Sequence, residues 1–211
     1  IIHNYNYFNK LNKKNICAAT VKSDGYGLGA NKIFELLLNK GCKHFFVATT
    51  QEGISLREKF SKGTIYILNG VEFNNSQIFK KYDLIPILSN LDDYINIKKQ
   101  LLNYGVQIDT GINRLGIDYE EQKKIKFDDI NLKIIISHLA SADQKNNPYN
   151  NIQLNKFKKI VSDNKKNNKK FSLANSFGCI LSEKYLFDII RPGISLYGGH
   201  FNNLILKRNI K

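Results

Sequence analysis

Apolar positions along this 211-residue chain follow two alternating patterns. Short β-branched or apolar runs occupy Ile16–Val21, His44–Ala48, Thr64–Leu68, Leu84–Leu88, Gly105–Ile108, Leu132–Ser137 and Phe171–Leu173. A last run falls at Phe187–Ile190 or Ile194–Leu196. Between them, Asn31–Asn39, Gln51–Phe60, Ser76–Lys81, Leu91–Asn103, Tyr119–Lys126 and Ile152–Asn164 carry apolar residues at i, i+3 and i+4. That spacing is the repeat of a helix with one buried face. Strand runs alternating with helices predict a parallel sheet. Eight such runs are the number that closes a (β/α)8 TIM barrel, and the length suits a small member of that fold. The opening "NYNYFNKLN" predicts a helix before the first strand. "KNNPYNN" and "DNKKNNKK" are turn-rich surface segments, and no repeat or linker divides the chain. Residues 1–211 are therefore expected to form one α/β barrel domain.

Composition narrows the classes. Hydrophobic residues at 42% and charged residues at 24% are ordinary for a globular chain and exclude disorder and collagen-like structure. No apolar run is long enough to span a bilayer and no basic-then-apolar leader opens the chain, so no membrane association is expected. Cys17, Cys42 and Cys179 have no CxxC spacing, and an odd count argues against a disulfide framework, which points to a reducing cytoplasm. Methionine is absent, as expected of a processed chain or a fragment. The net charge of +14 raises nucleic acid as a partner. Its lysines, however, are spread among asparagines and isoleucines along the whole chain, and arginine, the better reader of bases and phosphates, is scarce. No nucleic-acid partner is expected; a basic surface would instead favour small anionic ligands.

The barrel reading makes a demand on the chemistry, which should follow the C-terminal ends of the strands. Lys22 follows the first run, Asp109 and Arg114 the fifth, and His138 the sixth. Asn175 and Ser176 follow the seventh, and Arg191 and Gly193 lie near the eighth. Lys22 ends a buried run in "ATVKSDGYGLGA", where a charge must be neutralised or desolvated. It is either a surface lysine at a strand end or an amine able to condense with an aldehyde. Gly25, Gly27 and Gly29 permit tight backbone near a bulky ligand, but their spacing is not that of a dinucleotide loop. His138 could be a satisfied core histidine, Ser176 a helix N-cap and Arg191 one half of a salt bridge. No cluster with metal-ligand spacing stands out.

"VKSDGYGLG" resembles the lysine motif of the alanine racemases, whose (β/α)8 domain binds pyridoxal 5′-phosphate. "QIDTGINRLG" at 107–116, "ISHLASAD" at 136–143, "LANSFG" at 173–178 and "IIRPGISLYGG" at 189–199 match the same family in order and spacing, so the resemblance covers essentially the whole chain. It implies the N-terminal barrel of that family without the β-rich C-terminal domain. It also implies pyridoxal 5′-phosphate as cofactor, alanine as substrate and a homodimer as the full-length assembly.

Residue by residue, the resemblance implies that Lys22 holds the cofactor aldehyde and that Lys22, Arg114 and His138 carry the catalysis. Tyr26 would hydrogen-bond the phosphate, and His138 would pack on the pyridine ring. Ser176, Gly193 and Ile194 would cradle the phosphate, with Asn175 beside them in the cofactor-binding set. Arg191 would face the pyridine nitrogen. The family often has a carbamylated lysine orienting the arginine equivalent to Arg114; here that position is the neutral Gln107. The second catalytic base, a tyrosine, would come from the C-terminal domain across the dimer, and Tyr197 of "SLYGG" should not be mistaken for it. The implied activity is interconversion of L- and D-alanine for peptidoglycan. The competing readings are a single-domain barrel of the same superfamily in cofactor homeostasis, a racemase of another amino acid such as serine, and a charge-driven nucleic-acid-binding module.

Overall fold

The computed structural model describes residues 1–11, 14–71, 76–100, 102–164, 169–201 and 203–211. Residue 12 of the opening helix, residue 101 of the helix expected over 91–103 and residues 165–168 of the turn-rich segment lie outside them. The strands are parallel and run in the order β2 (Ala19–Thr20), β3 (His44–Val47), β4 (Thr64–Ile67), β5 (Leu84–Leu88), β6 (Tyr104–Asp109), β8 (Leu132–Ile136) and β9 (Lys170–Ser172). The short β7 (Ile117–Asp118) pairs with the end of β6. Closure comes at the two chain-distant edges. β1 (Ile16–Cys17), just before β2, pairs with β10 (Ile189–Ile190), and a bridge between Asn175 and Arg191 joins the continuations of β9 and β10. The result is a closed (β/α)8 barrel whose first stave is β1 and β2 together.

Period-two alternation explains why these runs close. Ala18, Phe46, Tyr66, Ile85, Ile87, Ile134, Ile136 and Ile189 form a buried cluster inside the barrel. Their strand neighbours, among them Ala19, Phe45, Val47, Ile65, Ile67, Leu88, Val106, Ile108 and Ile135, belong to a second cluster under the helices. Pro86, which cannot donate to a ladder, sits where the pairing of β5 with β4 ends and its pairing with β6 begins.

The helices lay apolar stripes on the outer cluster. α3 (Ala30–Asn39) buries Ile33, Phe34 and Leu37, and Phe34 stacks against Phe45 of β3 and Phe60. Each such side chain withdrawn from water stabilises by about 1.5–3 kcal/mol. α4 (Thr50–Arg57) opens with a reciprocal cap between Thr49 and Glu52. α6 (Leu91–Lys98) is capped by Asn90, and α7 (Tyr149–Asn164) buries Asn150, Gln153, Leu154, Phe157 and Ile160. α1 (Ile2–Lys10) is tied to the chain end by Asn4, which donates to the Leu196 carbonyl and accepts from the Lys211 amide. α2 (Lys22–Tyr26), α5 (Ser76–Lys81), α8 (Gly178–Leu181) and α9 (Leu204–Asn209) complete the helices among the described residues.

Three expected helices are shorter than their apolar spacing suggested; the one expected over 51–60 stops at Arg57. Over 119–126 there is only a 3-10 turn, Glu121–Lys124, without a buried residue; Ile125, in extended chain, and Phe127, in the following turn, enter the core beyond it. The helix from Leu91 stops at Lys98. The last stave is Ile189–Ile190, while Ile194–Tyr197 forms a 3-10 turn at the barrel mouth.

Candidate active site

A cavity of about 410 Å³ opens at the C-terminal ends of the strands. Lys22, Tyr26, Arg114, His138, Asn175, Ser176, Arg191, Gly193 and Ile194 all line it. Residues more than 170 positions apart are thus brought together by barrel closure alone. Thr20, Asn69 and Gln107 add further polar groups to the wall.

The first stave runs on to Val21, whose amide donates to the Phe46 carbonyl. Lys22 then opens the short α2 (Lys22–Tyr26), and the chain turns left-handed: Ser23, Asp24, Gly25 and Tyr26 all have φ between 50° and 62°. For residues with a Cβ this region costs about 1–2 kcal/mol each, so Ser23, Asp24 and Tyr26 need support from outside. The Ser23 amide donates to Glu52 Oε1 at 2.7 Å, and Asp24 Oδ1 accepts from the Ala30 amide at 2.7 Å. The turn leaves Lys22 at the mouth and carries Tyr26 across to the eighth stave. There a Cβ added to Gly193 would lie 2.4 Å from the Tyr26 hydroxyl, so only glycine admits that tyrosine.

Neutral donors converge beside it. The buried Ser176 hydroxyl accepts from the amides of Gly193 (2.9 Å) and Ser195 (3.3 Å), which leaves its own O–H to donate. The Ile194 amide heads the adjoining 3-10 turn. The Ser176 O–H and the Ile194 amide are neutral donors in a concavity of the kind that suits an anion. Tyr197 backs the Tyr26 ring at 4.6 Å, and its hydroxyl donates to the Thr20 carbonyl at 2.8 Å.

Deeper in the mouth, His138 and Arg191 share one environment. Arg191 is buried, and its guanidinium donates to Ser172 Oγ and to the Ser137 carbonyl. Among the described residues no carboxylate pairs with it, and burial pushes it down to about 10. The His138 imidazole is pushed down to about 3, first by burial and then by the positive charges of Arg191, Arg114 and Lys22. It is therefore neutral. Asn175 agrees: its Oδ1 accepts from the Gly178 amide, which turns its Nδ2 donor toward His138 Nε2 at 3.4 Å. That nitrogen must act as acceptor, placing the imidazole proton on Nδ1.

Arg114 rides on a loop organised by Asp109, whose carboxylate accepts from the amides of Gly111, Ile112 and Asn113. Gln107 Nε2 donates to the Leu115 carbonyl at 2.6 Å. The neutral Gln107 thus holds the backbone beside Arg114. The Tyr149 hydroxyl donates to the Gly111 carbonyl at 2.8 Å, tying α7 to the same loop.

A supporting layer escaped the sequence reading. Gln153, fully buried on α7, donates to the His138 carbonyl and to Thr110 Oγ1 and accepts from the Ala140 amide. Ser172 and Ser137 hold Arg191. In sequence these are ordinary polar residues; only Glu52 carried a signal, as the fourth residue of a T-x-x-E cap. Among the described residues, no group of three His, Cys, Asp or Glu side chains is placed to hold a metal ion, and no helix is long and apolar enough to cross a membrane.

Fold and cavity together define a (β/α)8 barrel with a cavity of cationic and neutral polar side chains at the C-terminal mouth of its strands. The chain belongs to the family described as alanine racemase, N-terminal domain, whose model matches residues 1–200. It is 39% identical over 217 residues to an alanine racemase of Rickettsia typhi, covering 97% of this chain and 53% of that protein. Against that of Rickettsia canadensis it is 40% identical over 210 residues, covering 94% and 59%. Among solved structures, the alanine racemase of Bartonella henselae with covalently bound pyridoxal phosphate matches with a TM-score of 0.86 and 31% identity, over 96% of this chain and 62% of that one. The chain spans about half the length of the curated relatives it matches.

Proposed function

We propose that this chain is the barrel part of a pyridoxal 5′-phosphate-dependent alanine racemase, interconverting L- and D-alanine. The observation that carries the reading is the convergence of the Lys22 amine, the neutral His138, the Arg191 guanidinium and the Ser176–Gly193 amide cradle on one cavity. The donor set fits the cofactor. The cradle offers neutral N–H and O–H donors to a phosphate, and the buried guanidinium keeps N–H groups beyond those given to Ser172 and Ser137 for a ring nitrogen.

When bound, the cofactor supplies a conjugated electron sink that acidifies the α-hydrogen of an amino acid joined to it. Lys22 would hold the cofactor through its amine, and its free amine would take or return the α-proton on one face. Arg191 cannot hand its proton to the ring nitrogen, which leaves the sink weak and suits a reaction that only removes and returns one proton. His138 presents a flat, uncharged ring face throughout the working pH range, and Asn175 holds its orientation. Tyr26, Ser176, Gly193 and Ile194 hold the phosphate. Arg114 meets the substrate carboxylate from a loop kept in place by Asp109 and Gln107.

Tyr197 is no second base: its hydroxyl is committed to the Thr20 carbonyl, and burial raises its pKa. The opposite-face base comes from outside residues 1–211, in a homodimeric full-length assembly. The setting is cytoplasmic, and the product D-alanine serves the cell wall.

The test is an absorbance titration with pyridoxal 5′-phosphate followed by borohydride reduction and peptide mapping. A yellow band that reduction removes, with the label on Lys22, is expected, and Lys22→Ala should abolish both. A label distributed over surface lysines, unaffected by Lys22→Ala, would refute the assignment.

A further inference from the structure

We infer that Glu52 is a positioning residue for Lys22, acting through the backbone of the left-handed turn. The inference rests on the proposed role of Lys22. Glu52 lies on α4, in the stave-and-helix unit that follows the one bearing the lysine. Its two carboxylate oxygens are divided between two chain segments. Oε1 accepts from the Ser23 amide at 2.7 Å, and Oε2 accepts from the amides of Ala48 at 2.7 Å and Thr49 at 3.3 Å. The Oε2 contacts close the helix cap together with Thr49, whose hydroxyl accepts from the Glu52 amide at 3.2 Å. The Oε1 contact has no part in that cap. It reaches out of α4 to the residue directly after Lys22, at the start of the strained run Ser23–Tyr26.

Two things follow physically. A left-handed turn with three Cβ-bearing residues does not hold its shape by local preference, so the direction in which Lys22 leaves the barrel depends on outside anchors. An ionised carboxylate is the strongest acceptor available to a backbone amide, and it fixes the Ser23 N–H to a helix that is itself capped. Glu52 thereby holds the Lys22 backbone in place relative to β3 without touching the ligand.

The test separates this role from plain helix capping. Glu52→Gln keeps a side chain that is acceptable at this position of a capping box, but an amide has one acceptor oxygen and cannot serve Ser23 and Ala48 together. Thr49→Val removes the capping hydroxyl and leaves the Ser23 contact. The affinity of pyridoxal 5′-phosphate, by absorbance titration, and the yield of reduced adduct on Lys22, by mass mapping, would be measured well below the melting temperature of each variant. Glu52→Gln is expected to weaken the cofactor affinity about tenfold or more, the loss of a charge-assisted bond. Thr49→Val should lower the melting temperature and leave affinity and adduct yield unchanged. If Glu52→Gln binds like the parent protein, or if both variants weaken binding alike, the positioning role is overturned. If the parent protein itself forms no reducible adduct on Lys22, the reading of Lys22 fails first.

Discussion

A single imidazole illustrates how far one residue's environment can depart from its type. A histidine ordinarily titrates near 6.5, and His138 is held down to about 3 by burial and by three neighbouring cations. Between those two values the unfolded chain binds a proton that the folded chain refuses. Stability should therefore rise with pH across that window, by up to about 1.4 kcal/mol per pH unit from this group, and level off above it. Urea unfolding from pH 4.5 to 7.5 should show this slope, and His138→Gln should make it shallower. An unchanged slope in the variant would mean that other groups set the acid sensitivity. In sequence, His138 could equally have been a core histidine. What distinguishes it is the company of Arg191, which arrives from 53 positions further along the chain.

Among the elements, the turn after the first stave and the loop before the last 3-10 turn depend on one another. Gly193 has no Cβ, and the Tyr26 hydroxyl fills that space. Gly193→Ala should push the tyrosine out of the cradle and weaken binding of the cofactor's phosphate about tenfold. The double variant Gly193→Ala, Tyr26→Phe should recover part of that loss, because it removes the clashing oxygen; titration with inorganic phosphate and with the cofactor would measure both. An equal loss in the single and double variants would argue against the clash. The sequence marks both "GYG" and "RPGIS" as glycine-bearing segments and does not pair them. It also predicts a helix over 119–126 that the structure reduces to a 3-10 turn, since "EQKK" has no apolar residue to hold it to the core. Capping, by contrast, is a local affair, and the Thr49–Glu52 box could be read directly from spacing.

At the scale of the whole molecule, closure of the barrel converts eight separate strand ends into one cavity, where Lys22 is the proposed base among the described residues. In the proposed function Lys22 serves one face of a bound substrate, and Tyr197 is tied to the Thr20 carbonyl. Residues 1–211 by themselves should therefore exchange the α-hydrogen of one alanine enantiomer with solvent while inverting it slowly. Proton NMR in deuterium oxide and chiral chromatography would follow the two rates, and inversion keeping pace with exchange would place a second base within this chain.

The alternation of apolar runs and amphipathic stretches was enough to specify parallel strands and the barrel, because burial on two faces and a period of 3.6 are written in consecutive residues. The chemical motifs likewise announced which residues belong after which strand. The tertiary structure alone decided what lies between those residues: the left-handed turn propped by Glu52, the Gln153 tether behind His138, the serines under Arg191 and the grip of Gln107 on the Leu115 carbonyl. Each is a contact between polar side chains and backbone groups far apart in the chain. Such hydrogen bonds leave no period in the sequence, and their partners are selected only when the folded barrel removes water and every buried donor must find an acceptor.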